Sequence, residues 1–231
     1  MTKKKILTGL NTSPESLSAL RAAVSIASRI EAELLGIYVE DINLLNLASH
    51  PCAASFSQLG VTCEVTQDDG VVELLIRMQI DSARKALDSM ANAVGVPAEL
   101  EITRGRVQEE ILVAAKAADM VFLGWSDRLS PGFKLGSTAK FVAENAPVPV
   151  LLLQVGDKFP HEEVWILAQE QKEADFVKEK LQELGFKEEN LRYQIGDFSG
   201  ISKLGPKDLV AIADTMVNYV HYFNCSVIVV R

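Results

Sequence analysis

Short apolar runs alternate along this chain with longer stretches whose apolar side chains recur every three or four positions. The first kind predicts buried strands and the second predicts helices with one apolar stripe. Lys5–Leu10 is the first strand. Thr12-Ser-Pro-Glu15 follows as a capping box, with Pro14 inside the first turn. Leu17, Leu20, Val24 and Ala27 then mark a helix that ends near Ile30, and Glu33–Val39 is the second strand. Residues 41–68 mix Pro51, Gly60 and two cysteines, which predicts a long excursion with some helical turns. Val71–Val94 is helical, and the spacing assigns Leu74, Met78, Ala83, Leu87, Met90 and Val94 to the core. Glu99–Thr103 is a strand, Gln108–Ala117 a helix, Asp119–Gly124 a strand, Ser137–Asn145 a short helix and Val150–Val155 the fifth strand.

Strands separated by helices imply a parallel sheet with helices on both faces. With right-handed crossovers this is an α/β fold, an open doubly wound parallel five-stranded sheet. Ligands in such sheets sit beyond the carboxyl ends of the strands. Asn11, Val39 and the loop after Gly124 all project from that edge.

A smaller α/β unit follows. Residues 156–161 read as a linker, dividing the chain into units 1–155 and 156–231. Glu163–Ala168 is a strand, and Glu173–Leu184 a helix carrying Phe176, Val177, Lys180 and Leu184 near one face, stopped by Gly185. Leu191–Ile195 and Asp208–Ala213 are strands flanking a loop over 197–206. Met216–Phe223 is a helix and Ser226–Arg231 a terminal strand. The ending DLVAIAD…NCSVIVVR parallels ADMVFLGW…APVPVLLLQ, so the unit reads as a reduced second copy that has lost its first strand and helix and the Gly-Ser loop. About 75 residues are marginal alone, so it should pack on the first unit. Two apolar strands at matching places, Val150–Leu153 and Ser226–Val230, would be association hazards if left open. Their antiparallel pairing within one chain is therefore expected, giving an intrachain pseudo-dimer, with a homodimer through other faces left open.

The 231 residues carry a net charge of -8, shared equally between the two units. That excludes an electrostatic footprint for nucleic acid or an anionic membrane. MTKKKILTGL has too short an apolar run for a signal peptide or span, and no later segment is long enough, so the expected location is the cytoplasm. Cys52, Cys63 and Cys225 form no CxxC pair, and His50, His161 and His221 have no metal-ligand spacing. Asp68-Asp69 and Glu109-Glu110 read as solvated faces, the latter in a helix's first turn. No GxSxG, complete P-loop or arranged nucleophile and base is present, so no enzyme is expected.

KKILTGLNTSPESLSALRAA, AELLGIYVED, RGRVQEEIL and above all LGSTAKFVAENAPVPVLLL resemble the universal stress proteins over residues 3–155. The resemblance implies an adenine-nucleotide alpha hydrolase-like sheet and a cleft formed by Asn11, Val39, Gly124, Gly136, Ser137 and Thr138. ATP-binding members carry Gly, two residues, Gly, nine residues, then Gly-Ser or Gly-Thr, with Asp after the first strand. Here Gly124 and Gly136-Ser137 match, but Asp127 replaces the second glycine, the spacer is one residue short, and Asn11 replaces the Asp. A carboxylate at 127 puts negative charge where phosphate would bind. Gly132 and Lys134 would help only in a rearranged loop. The helix beginning at Ser137 still offers free amides to an anion, although Gly136-Ser137-Thr138 reads first as a helix cap. The expectation is a non-enzymatic stress-response protein acting on a protein partner, with no cofactor. An ATP- or AMP-binding sensor is the alternative, and a soluble regulator of a transporter a further one.

Overall fold

The computed structural model describes residues 3–42, 69–125, 137–155, 159, 161, 163–196, 198, 204, 208–223 and 225–231. The expected excursion, the loop bearing Asp127, Gly132, Lys134 and Gly136, and most of the expected linker and of the 197–206 loop lie outside the described residues.

Among the described residues all strands join one nine-stranded sheet. The first unit contributes β1 (Lys5–Gly9), β2 (Glu33–Asp41), β3 (Ala98–Gly105), β4 (Met120–Trp125) and β5 (Val150–Gln154). The second contributes β6 (Val164–Ala168), β7 (Leu191–Ile195), β8 (Leu209–Ala213) and β9 (Ser226–Val230). The order is β3-β2-β1-β4-β5-β9-β8-β6-β7. Every neighbouring pair is parallel except β5 with β9, where Val150, Leu151 and Leu152 face Val229, Ile228 and Val227. The open, doubly wound α/β sheet expected of the first unit is therefore present, and the two apolar terminal strands cover each other's edges.

Helices α1 (Pro14–Ile30), α2 (Asp69–Asn92) and α5 (Gln171–Glu183) pack on one face. Helices α3 (Val107–Ala115) and α4 (Ser137–Asn145), with a 3-10 helix over Asp214–Tyr222, pack on the other. Alternation along each strand separates the two cores: Ile6, Phe122, Leu151, Ile166 and Ile228 point to the first, and Leu7, Leu123, Leu152, Leu167 and Val229 to the second.

Three expectations need correction. The cap of α1 is Ser13, not Thr12: its side chain accepts from Ser16 N at 3.2 Å. Leu74, Met78 and Val94 are exposed (58%, 58% and 50%). The inward stripe of α2 consists of Ile76, Ile80, Ala83, Leu87 and Ala91, one of two apolar stripes at helical spacing. The second unit also keeps its first strand and helix. β6 pairs with β8 as β1 pairs with β4, and β7 flanks β6 as β2 flanks β1. Among the described residues it lacks a counterpart of β3 and the two helices flanking it.

The strand registers map the units onto each other. A twofold between Leu151 and Ile228 equates Val150 with Val227. Following the pairings outward equates Gly124 with Ala213, Thr8 with Ile166, Asn11 with Gln169 and Leu34 with Leu191.

Candidate functional site

The carboxyl ends of β2, β1 and β4 lie side by side, with Gly9 beside Ile37 and Thr8 beside Phe122. This brings Asn11, Val39 and Gly124 to one edge of three adjacent strands. Ser137 and Thr138 open α4, which packs on β4 and β5. Asn11 and Ser137 are exposed, while Val39, Gly124 and Thr138 are half-buried. Gly136 lies outside the described residues, so its place at this edge is not part of the geometry.

Asn11 and Gly124 are already committed to the start of α1. Ser13 N donates to the Asn11 side-chain oxygen at 3.0 Å. Asn11 N donates to Ser16 Oγ at 3.0 Å, and Ser16 Oγ donates back to the Asn11 carbonyl at 2.9 Å. The first bond satisfies the N–H of the cap residue, and the other two tie Ser16 in the first turn to the chain leaving β1. A Cβ on Gly124 would lie 2.2 Å from the carbonyl carbon and oxygen of Glu15 and 2.6 Å from Ser16 N. The first turn of α1 thus rests directly on β4, and only glycine permits that approach.

Sequence reasoning missed Ser16 and Trp125. Ser16 stands in a run of small and polar residues and gives no signal of its own. Trp125 is 2% exposed at the end of β4, and its Nε1 has no hydrogen-bond partner among the described residues. The signal available was a large aromatic side chain directly after Gly124. Beside Val39, Tyr38 donates to Gln79 Oε1 at 2.7 Å. Burial, with the Glu40 charge, pushes its pKa up to about 12. At neutral pH it is a neutral donor, poorly matched to acid–base work.

The corresponding edge of the second unit is closed by a carboxylate. Gln169 N donates to Glu173 Oε2 at 2.6 Å, and Thr215 Oγ1 donates to Glu173 Oε1. Ala213 stands where the first unit has Gly124, and the chain enters the 3-10 helix at once. No helix among the described residues is long and apolar enough to cross a membrane.

With this geometry in place, the model of the universal stress protein family matches residues 3–154. The chain is 29% identical over 154 residues to a universal stress protein of Methanocaldococcus jannaschii, covering 65% of this chain and 82% of the relative. A universal stress protein structure from Archaeoglobus fulgidus superposes with a TM-score of 0.67 at 12% identity, over 100% of this chain and 99% of that one. The structure of hypothetical protein MJ0577 superposes at 0.51 with 17% identity, over 68% and 100%. A universal stress protein solved in complex with cAMP gives 0.48 at 19% identity, over 68% and 100%.

Proposed function

The chain belongs to the universal stress protein family, and we propose that it serves stress response in the cytoplasm without catalysis, through contact with a protein partner. The nucleotide site is degenerate in the first unit and closed in the second, and the two units descend from a tandem arrangement. One observation carries this reading: Gly124 and Asn11, two of the residues at this edge, are spent on seating α1 and on holding the turn ahead of it. The carboxylate of Asp127 adds like-charge repulsion in the same loop of the sequence.

A nucleotide sensor for ATP or AMP is the second reading. It is favoured by the exposed Ser137 at the start of α4, where free amides and the helix dipole attract an anion. Calorimetric titration with ATP and with AMP separates the two. The proposal expects no saturable heat at a ligand concentration of about 100 μM and no ATP turnover near 1 per second. Micromolar binding that weakens by about 1 kcal/mol or more in Ser137→Ala would establish the sensor instead.

A further inference from the structure

Among the described residues β3 has no counterpart in the second unit, and β7 is the outer strand of the sheet. In the first unit β2, which occupies the place of β7, is covered along its length by β3. There Leu34 N donates outward to Pro97 O at 2.9 Å, while Glu33 N donates inward to Lys4 O at 2.8 Å. The second unit repeats this alternation. Gly196 N donates to Ala168 O at 3.0 Å, so Arg192 and Gln194 turn their backbone groups toward β6. Leu191, Tyr193 and Ile195 turn theirs to the open edge.

The same three residues share a face. Leu191 is buried in the core under α5, and alternation puts Tyr193 and Ile195 on that side, 41% and 37% exposed. The strand carries no Pro and no Lys, two of the usual edge protections. Its single charge, Arg192, is held by Glu163 at 2.7 Å. By contrast β3, the outer strand at the far end, carries Glu99, Glu101 and Arg104.

We infer that β7 is an interaction surface whose occupant is the β7 strand of a second copy of this chain, paired antiparallel about a twofold at Tyr193. In that register Tyr193 faces Tyr193, Leu191 faces Ile195 and Arg192 faces Gln194 of the second copy. Outward backbone groups meet outward backbone groups, so the Tyr193 pair exchanges both of its hydrogen bonds. The apolar residues form one continuous stripe, and no like charges stand opposite each other. A register one residue lower would set Arg192 against Arg192. The Leu191 carbonyl already accepts from Arg192 Nη1 at 3.2 Å, which leaves the Tyr193 groups as the freest centre for pairing. A strand this short buries less than a standard interface, so the association is weak and depends on concentration. It goes beyond the function proposed above and stands whether or not the first-unit cleft binds a nucleotide.

Sedimentation velocity of the full chain, from about 1 to about 300 μM, tests it. Wild type is expected to dimerise within that range. Tyr193→Pro removes only an outward donor, a position where an edge strand tolerates proline. It and Tyr193→Lys should each weaken dimerisation at least tenfold with unchanged circular dichroism. Tyr193→Cys, with Cys52 and Cys63 changed to Ser, should form an intermolecular disulfide on mild oxidation, because a hydrogen-bonded antiparallel pair brings Cα atoms to about 5.5 Å. A wild type monomeric throughout overturns the inference. So does a dimer that survives Tyr193→Lys, or a Tyr193→Cys chain that fails to cross-link at concentrations where it dimerises.

Discussion

At the carboxyl edge of the first unit the chain leaves β4 at Trp125 and begins α4 only at Ser137. At the matching edge of the second it leaves β8 at Ala213 and enters a 3-10 helix at Asp214. Asn11 and Ser16 knit the first edge through uncharged groups, whereas Glu173 knits the second through a carboxylate. Gly124 lets a helix backbone rest on the first edge, and Ala213 shows that the second needs no such approach. Yet both units present fully buried strands to the seam, from Val150 to Leu153 and from Ser226 to Val230. The sheet is thus sustained by strand pairing and its two cores. Strand-level apolarity holds the fold, and edge chemistry is free to diverge.

The strongest way to break the comparison is to separate the units. Ile228 is fully buried at the centre of the seam, opposite Leu151. Ile228→Pro removes a ladder donor and imposes a proline on an interior strand, at a cost of about 3 kcal/mol or more. The second unit, marginal at its size, should then yield to limited proteolysis over residues 156–231 while residues 1–155 resist. Equal loss of both halves would show that the first unit depends on the seam as much as the second does.

A sharper comparison exchanges the residues at one mapped position. Gly124→Ala forces a methyl group into the backbone of Glu15 and Ser16 and should destabilise by roughly 1–3 kcal/mol. Ala213→Gly meets no such constraint and should cost about 1 kcal/mol, from chain entropy and the loss of one buried methyl group. Urea midpoints measure both. If the two changes cost the same, α1 does not rest on β4 as described.

Much of this architecture was legible because apolar runs are local signals. The β1, β4, β5, β8 and β9 runs read as strands without any knowledge of their neighbours, and two apolar strands in matching places implied a seam. What failed depended on position in the sheet. The second unit was short, but its length alone did not say which strand has no counterpart among the described residues; the pairing of β6 with β8 does. Leu74 and Met78 lie on a second apolar stripe, and only the packed sheet decides that Ile76 and Ile80 point inward. The α1 cap moved because Asn11 accepts from Ser13 N and sets the turn ahead of the helix. In the site, Gly124 was recognisable as a special residue, but its partner in the close approach, the backbone of Glu15 and Ser16, is distant in sequence and gave no sign.

A pH titration compares β2 with β7, the strand at the matching place in the second unit. Tyr38 on β2 is buried and bonded to Gln79 of α2, while Ile195, its mapped counterpart on β7, is exposed. The Tyr38 pKa, pushed up to about 12 from 10.0, means that the folded state holds its proton where the unfolded chain releases it. Stability from this group is full below pH 10 and falls as the pH rises toward 12, by on the order of 2 kcal/mol in all. Tyr38→Phe should flatten that fall and cost about 1 kcal/mol at neutral pH through the lost hydrogen bond. An unchanged alkaline slope in Tyr38→Phe would assign the loss to other groups.

The last pair of changes probes a buried hydroxyl on the strand that leads to the cleft. Thr8 is fully buried in β1, and its hydroxyl has no hydrogen-bond partner among the described residues. The second unit places Ile166 at the same point. A buried hydroxyl without a partner costs more than an apolar group of the same shape. Thr8→Val should therefore stabilise the protein by about 1 kcal/mol, and the reverse change, Ile166→Thr, should destabilise it by about 1–3 kcal/mol. Chemical denaturation of both variants, with the slope held constant, reads the pair. A Thr8→Val chain less stable than wild type would mean that the hydroxyl is satisfied in the working protein. Thr8 lies two residues before Leu10 on the strand that leads to Asn11, so a bound group at that edge would be the first place to look for its partner. The stabilisation expected here is thus also a prediction that the first-unit edge, like the second, works without a ligand reaching into β1.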